Sequence, residues 1–280
     1  MKTKIKIELG EIQKTLFMPV WARAAETRKK KPVLTDFTAV EIMDSVDFDF
    51  TPMTNNLKEI NQIAWVARCI RFDRVVSNFI HDHPQGTIVN IGCGLDTTWE
   101  RLAVKPGMWY DLDLPDVIEL KRKFTQETGN RKFIPGSFLD SEWFDNVVIN
   151  DGILFIAMGV FVYFAEAEVR DFITMIAGRF ANSEMFFDVT SPKGVEIANQ
   201  VISKSGLDSV SFFKWGLTDK SVITSWDRRI RLVNTYHTFR IEGLDMSEEN
   251  KKIALISDSL DIQYMVHLSI EGRRNICHEA

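Results

Sequence analysis

The stretch Val89-Asn90-Ile91-Gly92-Cys93-Gly94-Leu95-Asp96-Thr97 constrains this chain more than any other. A short apolar run, Ile88 to Ile91, ends in two closely spaced glycines, and a helix is expected from about Thr97. Glycines permit positive φ and let a ligand come close to the backbone. The helix N-terminus beyond offers free N–H groups to a polar ligand. About 20 residues further on, Trp109 to Leu114 reads as a second strand, carrying Asp111 and Asp113 and stopped by Pro115. An acid at that point can accept hydrogen bonds from both hydroxyls of a ribose. Asp111 and Asp113 share one strand face. Asp113, at the strand's end, is the favoured ribose ligand. Turn and acid in this order point to a nucleoside-type ligand.

Two details narrow the nucleoside. A dinucleotide fingerprint needs a third glycine where this chain has Thr97. The loop also carries Asp96, which repels a diphosphate but tolerates the sulfonium and ammonium of S-adenosylmethionine. The glycine and Lys-Ser/Thr pattern of a phosphate-binding loop is absent. The expected cofactor is S-adenosyl-L-methionine, and methyl transfer is favoured over hydride transfer.

The rest of the chain supplies an alternating frame. Before residue 87 it reads helical: Ile12, Leu16, Val20 and Ala24 recur at helical spacing, as do Val40, Met43 and Val46. Leu57 to Ile80 is a longer amphipathic helix, with Asn55 or Asn56 as its N-cap and Pro84 and Gly86 as its stop. After the glycine turn, Val117 to Phe124 looks helical and Lys132 to Pro135 is a third strand. Val147 to Ala157 is an apolar run broken by Asp151-Gly152. Glu166 to Phe180 is an amphipathic helix with acids in its first turn, and Met185 to Val189 is a strand halted by Pro192. Strands alternating with helices give a mostly parallel sheet. Phe212 to Asp227 is aromatic-rich and irregular, and Ile262 to Ile270 is a late strand, expected antiparallel at the sheet edge. The expectation is one domain over residues 1–280: a helical cap at 1–86, a cofactor-binding core at 87–190, and a lid with a C-terminal sheet edge at 191–280.

Composition excludes several classes. Apolar residues make up 45% of the chain and charged ones 26%, enough for a full core. The net charge of −5 is opposite to what phosphate neutralisation requires, so nucleic acid is not an expected partner. The one basic run, Arg28 to Lys31, reads as a solvated turn before Pro32 that could also border an anionic ligand. The longest apolar run, Ile153 to Phe164, is too short to span a membrane. The N-terminus alternates Lys and Ile without the apolar core of a signal peptide, so a cytoplasmic home is expected. Cys69, Cys93 and Cys277 form no paired pattern, which argues against disulfides and against a metal site.

At its motifs the chain resembles the leucine carboxyl methyltransferase family, and within it the tetracenomycin polyketide synthesis O-methyltransferase branch. The resemblance spans roughly residues 15 to 240. It is carried by Ala22-Arg23-Ala24-Ala25-Glu26-Thr27-Arg28 with Asp36, and by Ala67-Arg68-Cys69-Ile70-Arg71-Phe72-Asp73. Gly92-Cys93-Gly94-Leu95-Asp96-Thr97 and Tyr110-Asp111-Leu112-Asp113-Leu114-Pro115 are its most specific motifs. Val160-Phe161-Val162-Tyr163-Phe164 with Glu166 completes it. The resemblance implies an α/β, Rossmann-like class I methyltransferase fold with a helical N-terminal cap and inserted lid segments. It further implies that Arg68 holds the carboxylate of the cofactor's methionine end, as a bidentate guanidinium can. Gly92 and Gly94 would lie against the methionine and ribose portions and Asp113 would bind ribose, with Asp111 beside it. Ser137 and Phe138 would flank adenine. Where family members often carry an acid that helps position the amino-acid end, this chain has Met158.

Methyl transfer is an in-line displacement that needs alignment and exclusion of water. An ionised carboxylate acceptor needs no base, whereas a phenol or alcohol benefits from one. Tyr163 and His237 are the leading candidates, with Asp188 and Tyr236 behind them. Phe212, Phe213, Trp215 and Trp226 are candidates to line an acceptor pocket. The expected function is O-methylation of a hydroxyl or carboxylate on a small-molecule acceptor. The rivals are a non-catalytic module that binds the cofactor and, behind it, an NAD-dependent oxidoreductase.

Overall fold

The structure, a computed structural model, describes residues 4, 5, 11–54, 57–204 and 211–272. Four helices lead: α1 (Glu11–Thr27), α2 (Phe37–Ser45), the single turn α3 (Thr51–Thr54) and α4 (Glu59–Asp82). There follow β1 (Thr87–Ile91), α5 (Thr98–Arg101), β2 (Met108–Asp113), α6 (Pro115–Lys121), β3 (Arg131–Pro135), β4 (Ile153–Ala157), α7 (Glu166–Arg179) and β5 (Ser183–Thr190). The chain then adds α8 (Pro192–Lys204), α9 (Ser221–Trp226), β6 (Ile230–His237), α10 (Glu248–Ser259) and β7 (Gln263–Ile270).

The seven strands form one sheet in the order β3-β2-β1-β4-β5-β7-β6. Pairings from β3 to β5 are parallel, and β7 runs antiparallel to both β5 and β6. Helices cover both faces, so β1 and β4 are buried along their whole length, as parallel strands require. Alternate residues feed two cores. Val89, Ile91, Phe155 and Phe187 face the layer that contains α7. Ile88, Leu154, Ile156 and Phe186 face α4, where Phe72, Val76 and Phe79 pack.

The late-strand expectation needs one correction. β7 is antiparallel as expected, but it lies inside the sheet, and the edge belongs to β6. β6 exposes four consecutive residues and carries a bulge between Leu232 and Asn234, so its sequence lacks a strand's clean alternation. Pro192 does end β5, but it also opens α8, because proline is tolerated in a helix's first turn. Asn55 and Asn56 lie outside the described residues, as does Cys277. The N-cap of α4 is Lys58, which makes no side-chain capping bond.

Among the described residues, no helix is long and apolar enough to cross a membrane. The basic run forms the turn after α1. Arg28 pairs with Asp44 and Lys29 with Glu26, each at 2.6 Å. Lys29, Lys30 and Lys31 also border a hollow of about 340 Å³, which shares no lining residue with the cavity described next.

Candidate active site

The strand order reverses between β1 and β4: the chain runs outward to β3, then returns to β1's other side. Ligands bind open α/β sheets at such a switch point, beyond the carboxyl ends of the strands. A cavity of about 570 Å³ opens there. Its inner end is lined by Gly92 to Asp96 after β1, Met158 and Gly159 after β4, Asp188 from β5, and Arg68 from α4. Leu16, Val20 and Arg23 of α1 close it from the cap side.

The glycine turn is shaped for that position. Gly92 has φ +58°, and a Cβ there would sit 2.5 Å from Val160 Cγ2. Cys93 N–H donates to Leu112 O at 3.1 Å and Gly94 N–H donates to Asp113 Oδ2 at 2.7 Å, which tie the turn to β2. Asp113 also accepts from Leu114 N–H at 2.8 Å. Burial pushes its carboxyl above the ordinary value, although both N–H donors pull the other way.

Buried charges fasten the turn to the cap. Arg23 donates through Nε to Asp36 Oδ2 at 2.8 Å and through Nη2 to Leu95 O at 3.0 Å. Asp36 Oδ2 also accepts from Thr97 Oγ1 at 2.5 Å and Arg101 Nη1 at 2.9 Å, while its Oδ1 caps α2 at Ala39 N–H. Burial raises Asp36's carboxyl, but Arg23, Arg101 and its hydrogen-bond donors outweigh that and hold it below the ordinary value. Arg101 meets Asp73 through two bonds of 2.8 Å. Asp96 faces inward, accepting from Asn90 Nδ2 at 3.0 Å and from Thr98.

Arg68 is nearly buried. Its Nη1 donates to Asp188 Oδ2 at 2.8 Å. Its Nε is buried with no hydrogen-bond partner among the described residues. Burial works against its charge, and the Asp188 carboxylate more than restores it. Asp188 accepts Gly159 N–H at 2.5 Å through Oδ1 and Gln263 Nε2 at 3.3 Å through Oδ2. Gly159, at φ +72°, lets Arg68 lie against the backbone: a Cβ there would stand 3.0 Å from Nη1.

The cavity therefore brings together Arg68, Gly92, Gly94, Met158 and Tyr163. Met158 places its sulfur 3.8 Å from Cys69 Sγ. The Tyr163 ring meets Phe213 edge-on at 5.3 Å, and burial raises its phenol, with Arg68 opposing only in part.

Other expected residues lie elsewhere. Asp111 is fully buried in the sheet, where Trp109 Nε1, Asn90 Nδ2 and Arg131 Nε consume its carboxylate, so it faces no ligand. His237 on β6 is outside the cavity, 3.6 Å from Asp261. Tyr236 is also outside, packed on Phe186 beneath Arg71. Phe138 lies in the core against Phe164 and Phe172, and Ser137 accepts from Leu139 N–H. Of the four candidate pocket aromatics, Phe213 lines the cavity, whereas Trp215 and Trp226 pack on each other in the core and Phe212 is not part of the lining.

Sequence reasoning missed the outer wall. Ile197 of α8 and Ile253, Ile256 and Leu260 of the α10 region line the cavity yet stay between 36% and 59% exposed. Their signal was apolar residues with no core to face.

This fold is the Rossmann-like fold of S-adenosylmethionine-dependent methyltransferases. A magnesium protoporphyrin IX methyltransferase of Synechocystis PCC 6803, solved with S-adenosylmethionine bound, superposes with a TM-score of 0.50 at 11% identity, covering 86% of this chain and 100% of that one. The leucine carboxyl methyltransferase family model matches residues 17–177, and the chain belongs to that family. The tetracenomycin polyketide synthesis O-methyltransferase TcmP of Streptomyces glaucescens is 29% identical over 75% of this chain and 77% of its own length. The S-adenosyl-L-methionine-dependent methyltransferase dpfgK of Gibberella zeae is 24% identical over 77% and 78%.

Proposed function

We propose that the protein transfers a methyl group from S-adenosylmethionine to an oxygen of an apolar small-molecule acceptor. The observation that carries this reading is the free edge of Arg68 beside the glycine turn. Asp188 takes Nη1, and the buried Nε has no partner among the described residues. The Nε–Nη2 edge is thus available for a carboxylate, the group a guanidinium binds bidentately. Gly92 and Gly94 line the same space, and Asp113, which accepts Gly94 N–H from behind the turn without itself lining the cavity, is the acid this reading assigns to ribose. The residues fit the cofactor's amino-acid end and middle: Arg68 for its carboxylate, the turn for its middle, and Asp113 behind the turn for its ribose, whereas Ser137 and Phe138 lie outside the cavity lining.

When bound, the cofactor supplies an electrophilic methyl on a sulfonium. The chain's part is to align the acceptor oxygen with it and to exclude water. Phe213, Trp65, Ile60 and Val201 line the outer cavity and suit an apolar acceptor body. Tyr163, kept protonated by burial, donates to an acceptor oxygen rather than taking its proton. With His237 outside the cavity, the reading favours acceptors that arrive ionised: carboxylates, or phenols acidic enough to do so.

The test is labelled methyl transfer from the cofactor to paired apolar carboxylates and phenols across about pH 6 to 9. The expected carboxylate rate is flat, and each phenol rate follows that phenol's own ionisation. One enzyme pKa near 6.5 shared by every acceptor would reinstate a histidine base and contradict the assignment.

A further inference from the structure

The inner end of the cavity holds two opposite charges side by side. Arg68 and Asp188 come from elements 120 residues apart and meet at 2.8 Å. Both are nearly buried, and both line the cavity. Such a pair balances itself and presents one cationic and one anionic edge to whatever enters. An α-amino acid head is the complementary object, because its carboxylate and ammonium sit on a single carbon.

We propose that Asp188 binds the ammonium of the cofactor's amino-acid end, while Arg68 binds its carboxylate. This rests on the cofactor reading above. Two acids line the cavity among the described residues, Asp96 and Asp188. Asp96 is consumed by Asn90, Thr98 and the nearby Arg101. Asp188 carries three hydrogen bonds on two oxygens that offer about four acceptor sites, so it has room for one more donor. Gly159 N–H and Gln263 Nε2 hold the carboxylate in place, and Gly159 has no side chain to block its approach to Arg68. Met158, next to Gly159, turns its thioether to Cys69 and offers no charge. A charge-assisted bond of this kind is among the stronger hydrogen bonds a site can make.

The experiment is calorimetric titration with three compounds: S-adenosylhomocysteine, its analogue lacking only the amino group, and methylthioadenosine, which lacks the whole amino-acid end. The proteins are wild type, Asp188→Asn, and Asp188→Asn with Met158→Glu. Wild type is expected to prefer S-adenosylhomocysteine over the deamino analogue by about tenfold or more. Asp188→Asn should erase that preference, leave methylthioadenosine within about twofold, and regain part of the preference when Met158→Glu supplies a carboxylate nearby. The proposal is overturned if Asp188→Asn keeps the preference, or if it weakens all three compounds alike, which marks a purely structural ion pair. Should Asp188→Asn fail to fold, wild type still decides: equal affinity for the amino and deamino compounds overturns it. Wild type binding none of the three would instead refute the cofactor reading itself.

Discussion

Arg68 is the residue on which the site turns, and its geometry shows why a resemblance alone describes it incompletely. The motif around it indicated a carboxylate ligand, but nothing in the sequence links position 68 to position 188. Only the meeting of α4 with the end of β5 makes them partners. Asp188 read as one candidate base among several and proves to be Arg68's counter-ion. Conversely, Asp111 and Asp113 share a strand face, yet Arg131, Asn90 and Trp109 enclose the first, while the second, favoured from its place at the strand's end, accepts N–H groups of the turn and of Leu114. Arg68→Ala is expected to weaken S-adenosylhomocysteine at least tenfold while sparing methylthioadenosine, as calorimetry can show. Gly92→Ala combines a left-handed backbone with a clash against Val160. It should cost about 1–2 kcal/mol from the backbone alone, read from urea denaturation, and lower cofactor affinity as the turn shifts.

At the scale of elements, the cap and the glycine turn form one unit. Arg23 of α1, Asp36 at the head of α2 and Arg101 of α5 converge beside Leu95 and Thr97. Asp36→Ala would leave the buried Arg23 without its carboxylate partner, while Arg101 keeps Asp73, a loss of about 3–5 kcal/mol measurable in urea. The folded carboxyls of Asp36 and Asp96 lie below their ordinary values, because neighbouring cations outweigh burial. Their contribution is therefore fully present above the unfolded carboxylate range, near about pH 4, and is lost as pH falls through the folded values. Burial raises Asp113, whose contribution has the opposite pH dependence: it is present below the unfolded carboxylate range and is lost as pH rises through the folded titration. The urea midpoint should drop steeply below about pH 4 in wild type and less steeply in Asp36→Asn. Strands β1 to β5 were readable because buried parallel strands make short apolar runs between breakers. β6 and α10 were not: β6 is solvated along its middle, and α10 spends Ile253 and Ile256 on the cavity mouth rather than on a regular core stripe.

Across the whole molecule, a sheet covered on both faces fixes where its strands end, and the switch between β1 and β4 fixes where a ligand can enter. The core is dense in aromatics: Phe155 is fully buried between Trp143 and Phe180. Phe155→Ala should cost about 3–5 kcal/mol in thermal or urea unfolding while leaving cofactor affinity of the folded protein unchanged. The glycine turn at the inner end of the cavity was legible because it is a local feature, written between one strand and the next helix. The outer wall of the cavity was not, because α8, α10 and the segment around Phe213 are far apart in sequence and meet only in the folded chain.

The most direct measurement is calorimetric titration of the purified protein with S-adenosylmethionine and, separately, with NADH. Saturable micromolar binding of S-adenosylmethionine at one site per chain, with no heat from NADH, is the predicted result. Binding of NADH with none of S-adenosylmethionine would contradict it.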